Sequence, residues 1–222
     1  MKILSVDTSL PIGSVSLIQD NKLIASRSWN SAREHSVKVF ENLQKIIGTD
    51  ENKFSDIDLA IFTAGPGSFT GIRIGLSVAK SFKVSGKIKN IGTISTVEAF
   101  SYCFLKNEFP VFVIIEGKKS RYYTYCRDET SVIFPLEDLT LKEVEERLKK
   151  LASRVTVTGY FAENSNLTEF LKSQDKISIK KACSSISICA ALYAQKFGYK
   201  TDLEPIYIRQ PDAKPADKKL DE

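Results

Sequence analysis

The chain has 222 residues, of which 42% are hydrophobic and 27% are charged, and its formal net charge is +5. This composition excludes a disordered chain and a collagen-like repeat, and it is sufficient for one large domain or two small ones. No apolar stretch approaches the roughly 18 residues that cross a bilayer. The first apolar run reaches Asp7 before a signal-peptide core can form. We therefore expect a cytoplasmic protein with no membrane partner.

Histidine and cysteine limit the chemistry that the chain can carry. His35 is the one histidine in the sequence, so a metal site or proton relay built on two imidazoles is excluded, and we expect no resident metal. The cysteines form no C-x-x-C pair and lie in apolar or β-rich contexts, which predicts reduced, buried thiols rather than disulfides. They are Cys103, Cys126, Cys183 and Cys189.

The first half of the chain begins with three short apolar runs, which predict a β-meander, and then alternates helices with strands. The predicted strands cover residues 3–7, 14–18, 23–29, 58–63 and 89–92, and the predicted helices cover 33–47, 69–85 and 96–105. In the first of these helices the apolar stripe consists of Val37, Phe40, Leu43 and Ile47, widened by Val39 and Ile46.

The second half repeats this order, because strands again come first and helices follow. Strands are predicted at residues 111–115, 121–126, 131–134 and 155–158, and helices at 141–151, 166–173 and 185–197. The simplest architecture is two similar α/β lobes, residues 1–105 and 106–202. Residues 203–212 form an extended segment that can return to the first lobe, and residues 213–222 are expected to be a flexible tail.

A glycine-rich loop precedes the helix at residues 69–85. Its spacing, Gly65-x-Gly67-x-x-x-Gly71, matches neither the dinucleotide fingerprint nor the P-loop, which also needs a Gly-Lys-Ser/Thr sequence. Gly71, Gly75 and Ala79 are spaced by four, so they form one small-residue face that favours close packing. Partner contact and anion binding stay open as alternatives for this face.

Asp7, Thr8 and Ser9 form a second candidate, since a carboxylate and two hydroxyls on a tight loop can hold magnesium and phosphate oxygens. A strand-ending aspartate also often bonds the backbone of its own loop, and this alternative stays open. No catalytic base is visible near these residues. His35 lies early in a predicted helix, where a satisfied, partly exposed side chain is expected.

Five segments stand out together: ILSVDTS (residues 3–9), GSVSL (13–17), REHS (33–36), GPGSFTGIRIG (65–75) and PIYIR (205–209). Together they resemble one family, the TsaB (YeaZ) proteins of bacterial tRNA threonylcarbamoyladenosine biosynthesis. The resemblance covers nearly the whole chain and is weakest over residues 128–184. It implies a two-lobed actin-like ATPase fold of the ASKHA, ribonuclease H-like class.

The resemblance also implies a role and a set of partners. Members are noncatalytic partners required by TsaD, the paralogue that carries the metal-binding histidines and forms the threonylcarbamoyl group on N6 of adenosine 37 in tRNAs reading codons that start with A. The implied partners are TsaD in a heterodimer, the ATPase TsaE, tRNA within the complex and a second copy when the protein is alone. No cofactor is bound tightly, and ATP with magnesium acts only through the partner complex.

A small-molecule kinase of the same superfold is the alternative function. It would use Asp7 for magnesium and an acid of the second lobe, such as Glu116, as base. Only Gly159 stands where kinases of this fold carry a glycine pair for adenosine. The chain also departs from the family at residues 116–123, EGKKSRYY, where Asp-Ala-Arg-Arg is common.

The resemblance places the TsaD contact on the first two helices of the N-terminal lobe. We expect some of their apolar side chains to be exposed in the monomer, and a Leu76→Asp change to abolish the homodimer and TsaD binding without unfolding the chain. The candidates are Val39, Leu43, Ile46, Ile72, Gly75, Leu76 and Ala79.

Basic residues concentrate between Lys80 and Arg127, where nine of them stand against three acids. This excess predicts a contact with tRNA, because phosphate neutralisation dominates nucleic-acid affinity. Lys118, Lys119 and Arg121 form the sharpest cluster, on a predicted turn between two strands. A solvated hairpin tip is the alternative for this cluster.

Overall fold

The first of two five-stranded sheets is built from the N-terminal half, in a computed structural model that describes residues 1–30, 34–48, 51–104, 110–181 and 185–208. Its strand order is β3-β2-β1-β4-β5. The strands β1 to β3 form an antiparallel meander, and β4 and β5 add in parallel to β1. These strands are β1 (Lys2–Asp7), β2 (Ile12–Gln19), β3 (Lys22–Asn30), β4 (Leu59–Thr63) and β5 (Asn90–Ile94).

The second sheet has the same topology, with strand order β10-β9-β6-β7-β8. Here β6 to β8 form the meander, and β9 and β10 add in parallel to β6. The strands are β6 (Val111–Glu116), β7 (Arg121–Arg127), β8 (Val132–Thr140), β9 (Val155–Tyr160) and β10 (Ile177–Ile179). The predicted pair of β-led α/β halves is therefore confirmed.

Six α-helices and a short 3-10 helix at Glu51–Phe54 connect the strands within the described part of the chain. Ser68 caps the second helix by accepting from the Gly71 N–H, and Ser95 and Thr140 begin capping boxes. The α-helices are α1 (His35–Ile47), α2 (Phe69–Ser85), α3 (Thr96–Tyr102), α4 (Leu141–Lys150), α5 (Asn166–Lys172) and α6 (Ile186–Phe197). The predicted starts and ends at Arg33 and Leu105 lie outside the described residues.

A shared core joins the two sheets. Helix α3 packs against β6, β7 and β9 of the second sheet, whereas α6, from the end of the chain, packs against β1, β2 and β4 of the first. Ile3 and Ile61 on the first sheet, Val113 on the second, and Phe100 and Ala190 on the two helices belong to one buried cluster. The sheets therefore face each other across α3 and α6.

The outer face of each sheet is covered by its own helices. Leu4, Val6 and Phe62, which alternate with the inward residues along β1 and β4, pack against α1 and α2. On the second sheet Phe112 and Ile114 pack against α4 and α5. No helix in the described ranges is long and apolar enough to cross a bilayer.

The end of the described chain lies against the first sheet. Thr93 and Lys200 exchange backbone hydrogen bonds of 2.8 and 2.9 Å, and the Ile206 N–H donates to the Ala64 carbonyl at 2.8 Å. Leu203 is buried in the outer core of the first sheet. The tail predicted at residues 213–222 lies outside the described residues.

Cys126 and Cys189 are buried, and Cys103 is half-buried. Burial raises the pKa of the Cys126 thiol to about 12. The predicted burial is confirmed for Cys126 and Cys189 and is wrong for Cys103, while Cys183 lies outside the described residues.

Candidate functional site

The loop after β1 is organised by Asp7. Its Oδ1 accepts hydrogen bonds from the Ser9 N–H at 3.0 Å, the Ser9 hydroxyl at 2.6 Å and the Thr63 hydroxyl at 2.6 Å. The side chain is 0% exposed, and burial raises the pKa of the Asp7 carboxyl. Its Oδ2 has no hydrogen-bond partner among the described residues. The aspartate therefore bonds its own loop, as one of the two alternatives predicted.

Helix α2 closes this loop from outside. The Thr8 hydroxyl donates to the Gly71 carbonyl at 2.8 Å, and the Ser68 N–H donates to the Ser9 carbonyl at 2.6 Å. A Cβ atom on Gly71 would lie 2.0 Å from the Thr8 carbonyl oxygen, and one on Gly75 would lie 2.6 Å from the Thr8 hydroxyl. The small-residue face of α2 thus serves close packing, which confirms that reading of the glycine spacing.

The nucleotide site predicted at Asp7, Thr8 and Ser9 is not open in this structure. The three residues are 0%, 1% and 0% exposed, and both hydroxyls are engaged within the protein. Because α2 occupies the space beside the loop, a phosphate could reach these groups only if α2 moved. The structure favours the loop-bonding alternative, because the Thr8 hydroxyl bonds α2 while Asp7 binds Ser9 and Thr63. Nucleotide binding by these residues stays a prediction.

A cleft with a volume of about 610 Å³ opens between the two sheets. We call it the inter-sheet cleft. It is lined by Leu10 and Pro11, by the start of α2 and the loop before it, by the end of β6 and its turn, by Tyr160 at the end of β9, and by residues 206–208. The lining is mainly apolar and aromatic.

The aromatic side of the inter-sheet cleft is fixed by three residues. The rings of Phe69 and Tyr207 stack with centroids 5.2 Å apart, and the Arg73 guanidinium lies 3.8 Å from the centre of the Phe69 ring. The Arg73 Nε also donates to the Tyr207 hydroxyl at 3.1 Å. The sequence offered Tyr207 only as part of a family segment, because its stacking partner is more than a hundred residues away in the chain.

The groups that a kinase would need are not assembled in this cleft. Asp7 is not among the described residues that line it. Glu116 does line it, but Glu116 Oε2 accepts a hydrogen bond from the Ala162 N–H at 2.9 Å. Of the carboxylates in the described ranges, only Glu116 lines the cleft, so the pair proposed for the kinase alternative does not meet there.

His35 is a structural residue. Trp29 Nε1 donates to His35 Nδ1 at 2.9 Å, so Nε2 carries the proton and donates to the Leu10 carbonyl at 2.9 Å. Both ring nitrogens are therefore satisfied, as predicted, but the residue is only 1% exposed rather than partly exposed. Within the described residues, no cluster of histidine, cysteine and acidic side chains has the arrangement of a metal site.

Six of the seven predicted partner-contact residues are buried and Ile46 is half-buried against the same core, so the expected exposure of these side chains is corrected. On α1, Val39 and Leu43 are 0% and 3% exposed, and Ile46 packs against the same core. On α2, Ile72, Leu76 and Ala79 are at most 3% exposed, and Gly75 is buried against Thr8. Both helices turn this face to the protein interior, so Leu76→Asp should unfold the chain.

The exposed apolar side chains of these helices occupy other positions. On α1, Val37 is 57% and Phe40 is 52% exposed, and on α2, Val84 is 89% and Phe69 is 40% exposed. The predicted stripe of α1 joined Val37 and Phe40 to Leu43 and Ile47. The structure separates them, because the buried face runs through His35, Val39, Leu43 and Ile47.

The three basic residues of the hairpin between β6 and β7 have different surroundings. Arg121 Nε donates to Asp138 Oδ1 at 3.0 Å, and the guanidinium lies 3.7 Å from Glu143. Its charge is therefore matched within the second lobe, and its assignment as a tRNA contact stays a prediction. Lys118 and Lys119 are exposed on the turn, where Lys119 and Ser120 adopt left-handed backbone conformations.

Two sheets of the same strand order, which share a core through α3 and α6 and have a cleft between them, define the actin-like ATPase fold. The fold is shared with solved structures. A Pseudomonas aeruginosa protein with similarity to peptidase YeaZ matches with a TM-score of 0.73 at 17% identity, covering 94% of this chain and 99% of that one. The activator of 2-hydroxyisocaproyl-CoA dehydratase from Clostridium difficile matches with a TM-score of 0.54 at 12% identity, covering 87% and 94%.

The sequence comparisons show the family. The chain belongs to the family of tRNA N6-adenosine threonylcarbamoyltransferases, TsaD, whose model matches residues 24–215. Curated relatives carry the description tRNA threonylcarbamoyladenosine biosynthesis protein TsaB. The Escherichia coli relative is 28% identical over 94% of this chain and 95% of its own length, and the relative from Buchnera aphidicola of Acyrthosiphon pisum is 29% identical over 81% and 80%.

Proposed function

We propose that this chain is a noncatalytic partner subunit that a TsaD-type transferase requires to form threonylcarbamoyladenosine in tRNA. One observation carries the proposal: the chain has the fold of a transferase family, but its candidate catalytic side chains bind other residues of the same chain. The match covers residues 24–215, yet His35 is held by Trp29 and Leu10 and Asp7 is closed off by α2. A scaffold role also agrees with the relatives named TsaB.

The outer face of α1 is the contact that we propose for TsaD. Val37 and Phe40 are three residues apart, so they lie on one side of the helix, and both are more than half exposed. Neighbouring exposed apolar side chains can form the apolar centre of a binding surface. The face replaces the buried residues that the sequence suggested.

The same face would join two copies when TsaD is absent. A two-fold dimer uses one patch on both subunits, so an apolar patch that pairs with a related fold can also pair with itself. The transferase partner, the homodimer and the participation of TsaE belong to this proposal.

Assembly measurements separate the scaffold from the kinase alternative. The purified protein is mixed with TsaD and followed by sedimentation, and in parallel it is titrated alone with Mg-ATP. We expect a TsaD complex together with no phosphate release by the isolated protein. Tight Mg-ATP binding with phosphate release by the protein alone, and no TsaD complex, would favour the kinase.

A further inference from the structure

A lysine-lined pocket lies at the end of α2, away from the predicted hairpin. Helix α2 ends at Ser85, and β5 begins at Asn90. Residues 80–91 contain four lysines and no acid. The space between these two elements and the segment that follows α6 is a pocket of about 360 Å³. It is lined in part by Lys83, Lys89, Asn90, Tyr199 and Thr201.

The wall of this pocket is held in place by backbone pairing. Lys200 exchanges two backbone hydrogen bonds with Thr93 of β5, which fixes the segment on either side of it. The Tyr199 ring packs over Gly92 so closely that a Cβ atom there would lie 2.1 Å from Tyr199 Cδ2. Tyr199 nevertheless stays 38% exposed. An ordered aromatic ring therefore stands beside the two lysines.

Among the described residues, no carboxylate matches the two lysine charges of the pocket. Lys80, one turn earlier on α2, pairs with Glu204 at 3.2 Å. Lys83 and Lys89 form no ion pair with any carboxylate in the described part of the chain. Lys83 near the helix C-terminus complements the helix dipole. Lys89 lies beyond the helix and has no such role, so helix stabilisation does not account for the pair.

We propose that Lys83 and Lys89 contact the phosphate backbone of tRNA, with Tyr199 beside them. The proposal rests on the function proposed above, which makes tRNA the anion in question. Two lysines on the rim of an open pocket suit an extended polyanion, because backbone contacts position a nucleic acid without reading its bases. An exposed aromatic ring next to them can stack on an unpaired base.

The test compares two charge-matched double variants. K83Q/K89Q removes the pocket charges, and K149Q/K150Q removes two exposed lysines at the end of α4 on the other lobe. Binding to a tRNA that reads codons starting with A is measured by fluorescence anisotropy at several salt concentrations, for the protein alone and for its TsaD complex.

We expect K83Q/K89Q to weaken tRNA binding about tenfold or more at 0.1 M salt and to reduce the slope of log K against log salt by about 2, one per lost phosphate contact. K149Q/K150Q should leave both close to the parent values. Equal affinity of K83Q/K89Q and parent, or an equal loss in both variants, would overturn the proposal. If TsaD does not bind but the isolated protein shows this difference, the proposed function fails and the tRNA contact stands.

Discussion

Two polar residues that the sequence suggested as chemically active have structural roles. Asp7 sits where the sequence suggested a magnesium ligand, but its Oδ1 organises the loop through Ser9 and Thr63. His35 likewise joins Trp29 to the Leu10 carbonyl. Residue type and spacing identified both residues as special. They could not show which partners the fold brings to them, because Thr63 and Leu10 are distant in sequence from the residues that they bind.

The buried Asp7 carboxyl predicts a pH dependence of stability. Burial raises its pKa in the folded protein above the unfolded value, so protonation favours the folded state. This contribution is fully present below the ordinary aspartate pKa of about 4, and it is lost as pH rises through the raised value. We expect the stability of the parent relative to Asp7→Asn to fall as pH rises above about 4.

Urea denaturation of both proteins across that pH range provides the measurement. The Asn side chain retains an acceptor for Ser9 and Thr63, so the variant serves as its own control for the loop hydrogen bonds. A parent-to-variant difference that stays constant with pH would show that Asp7 titrates normally in the folded chain.

The sequence predicted where helices and strands occur better than it predicted which face of a helix is buried. The strands, the capped helices and the glycine face of α2 follow from periodicity and end signals. The buried face of α1 does not follow from them, because a stripe through Val37 and Phe40 and a stripe through Val39 and Leu43 both fit a helix. Only the packing of α1 on β2 and β3 selects between the two faces. Strand β10 was missed because its three residues lie in a charged segment at the sheet edge.

A substitution at Phe40 tests whether the outer face of α1 binds TsaD. Phe40→Asp places a charge at a side chain that is 52% exposed, so the fold should persist. We expect TsaD affinity to fall about thirtyfold, because the loss of one apolar anchor in a binding hot spot costs about 2 kcal/mol.

Val132→Asp on β8 is the matched control, because Val132 is 51% exposed on the second sheet. The control should bind TsaD like the parent, with binding followed by calorimetry and folding by circular dichroism. A folded Phe40→Asp variant with parent affinity for TsaD would place the contact elsewhere.

Gly71 provides a prediction for packing. Alanine is normally the better helix residue, yet a Cβ atom here would lie 2.0 Å from the Thr8 carbonyl oxygen. We expect Gly71→Ala to destabilise the protein by about 1–3 kcal/mol, the usual cost of overpacking. Thermal unfolding of Ser77→Ala, an exposed position on the same helix, is the comparison. A Gly71→Ala protein as stable as Ser77→Ala would contradict the close packing of α2 on the loop.

At the scale of the whole molecule, two sheets of one topology share a core through α3 and α6. The repeated order of elements in the two halves predicted this architecture, and the family resemblance named it. The inter-sheet cleft could not be predicted, since its lining joins Leu10, Phe69, Tyr160 and Tyr207 from four distant parts of the chain. The closed β1 loop agrees with the noncatalytic role proposed above.

The most direct measurement of this claim is threonylcarbamoylation of tRNA with TsaD, TsaE and threonylcarbamoyl-adenylate, in the presence and absence of this chain. We predict that modification requires the chain, and that Glu116→Gln, which removes the charge of the cleft carboxylate, leaves the rate unchanged. The account would be contradicted by undiminished modification without the chain, or by loss of modification in a Glu116→Gln protein that still folds and binds TsaD.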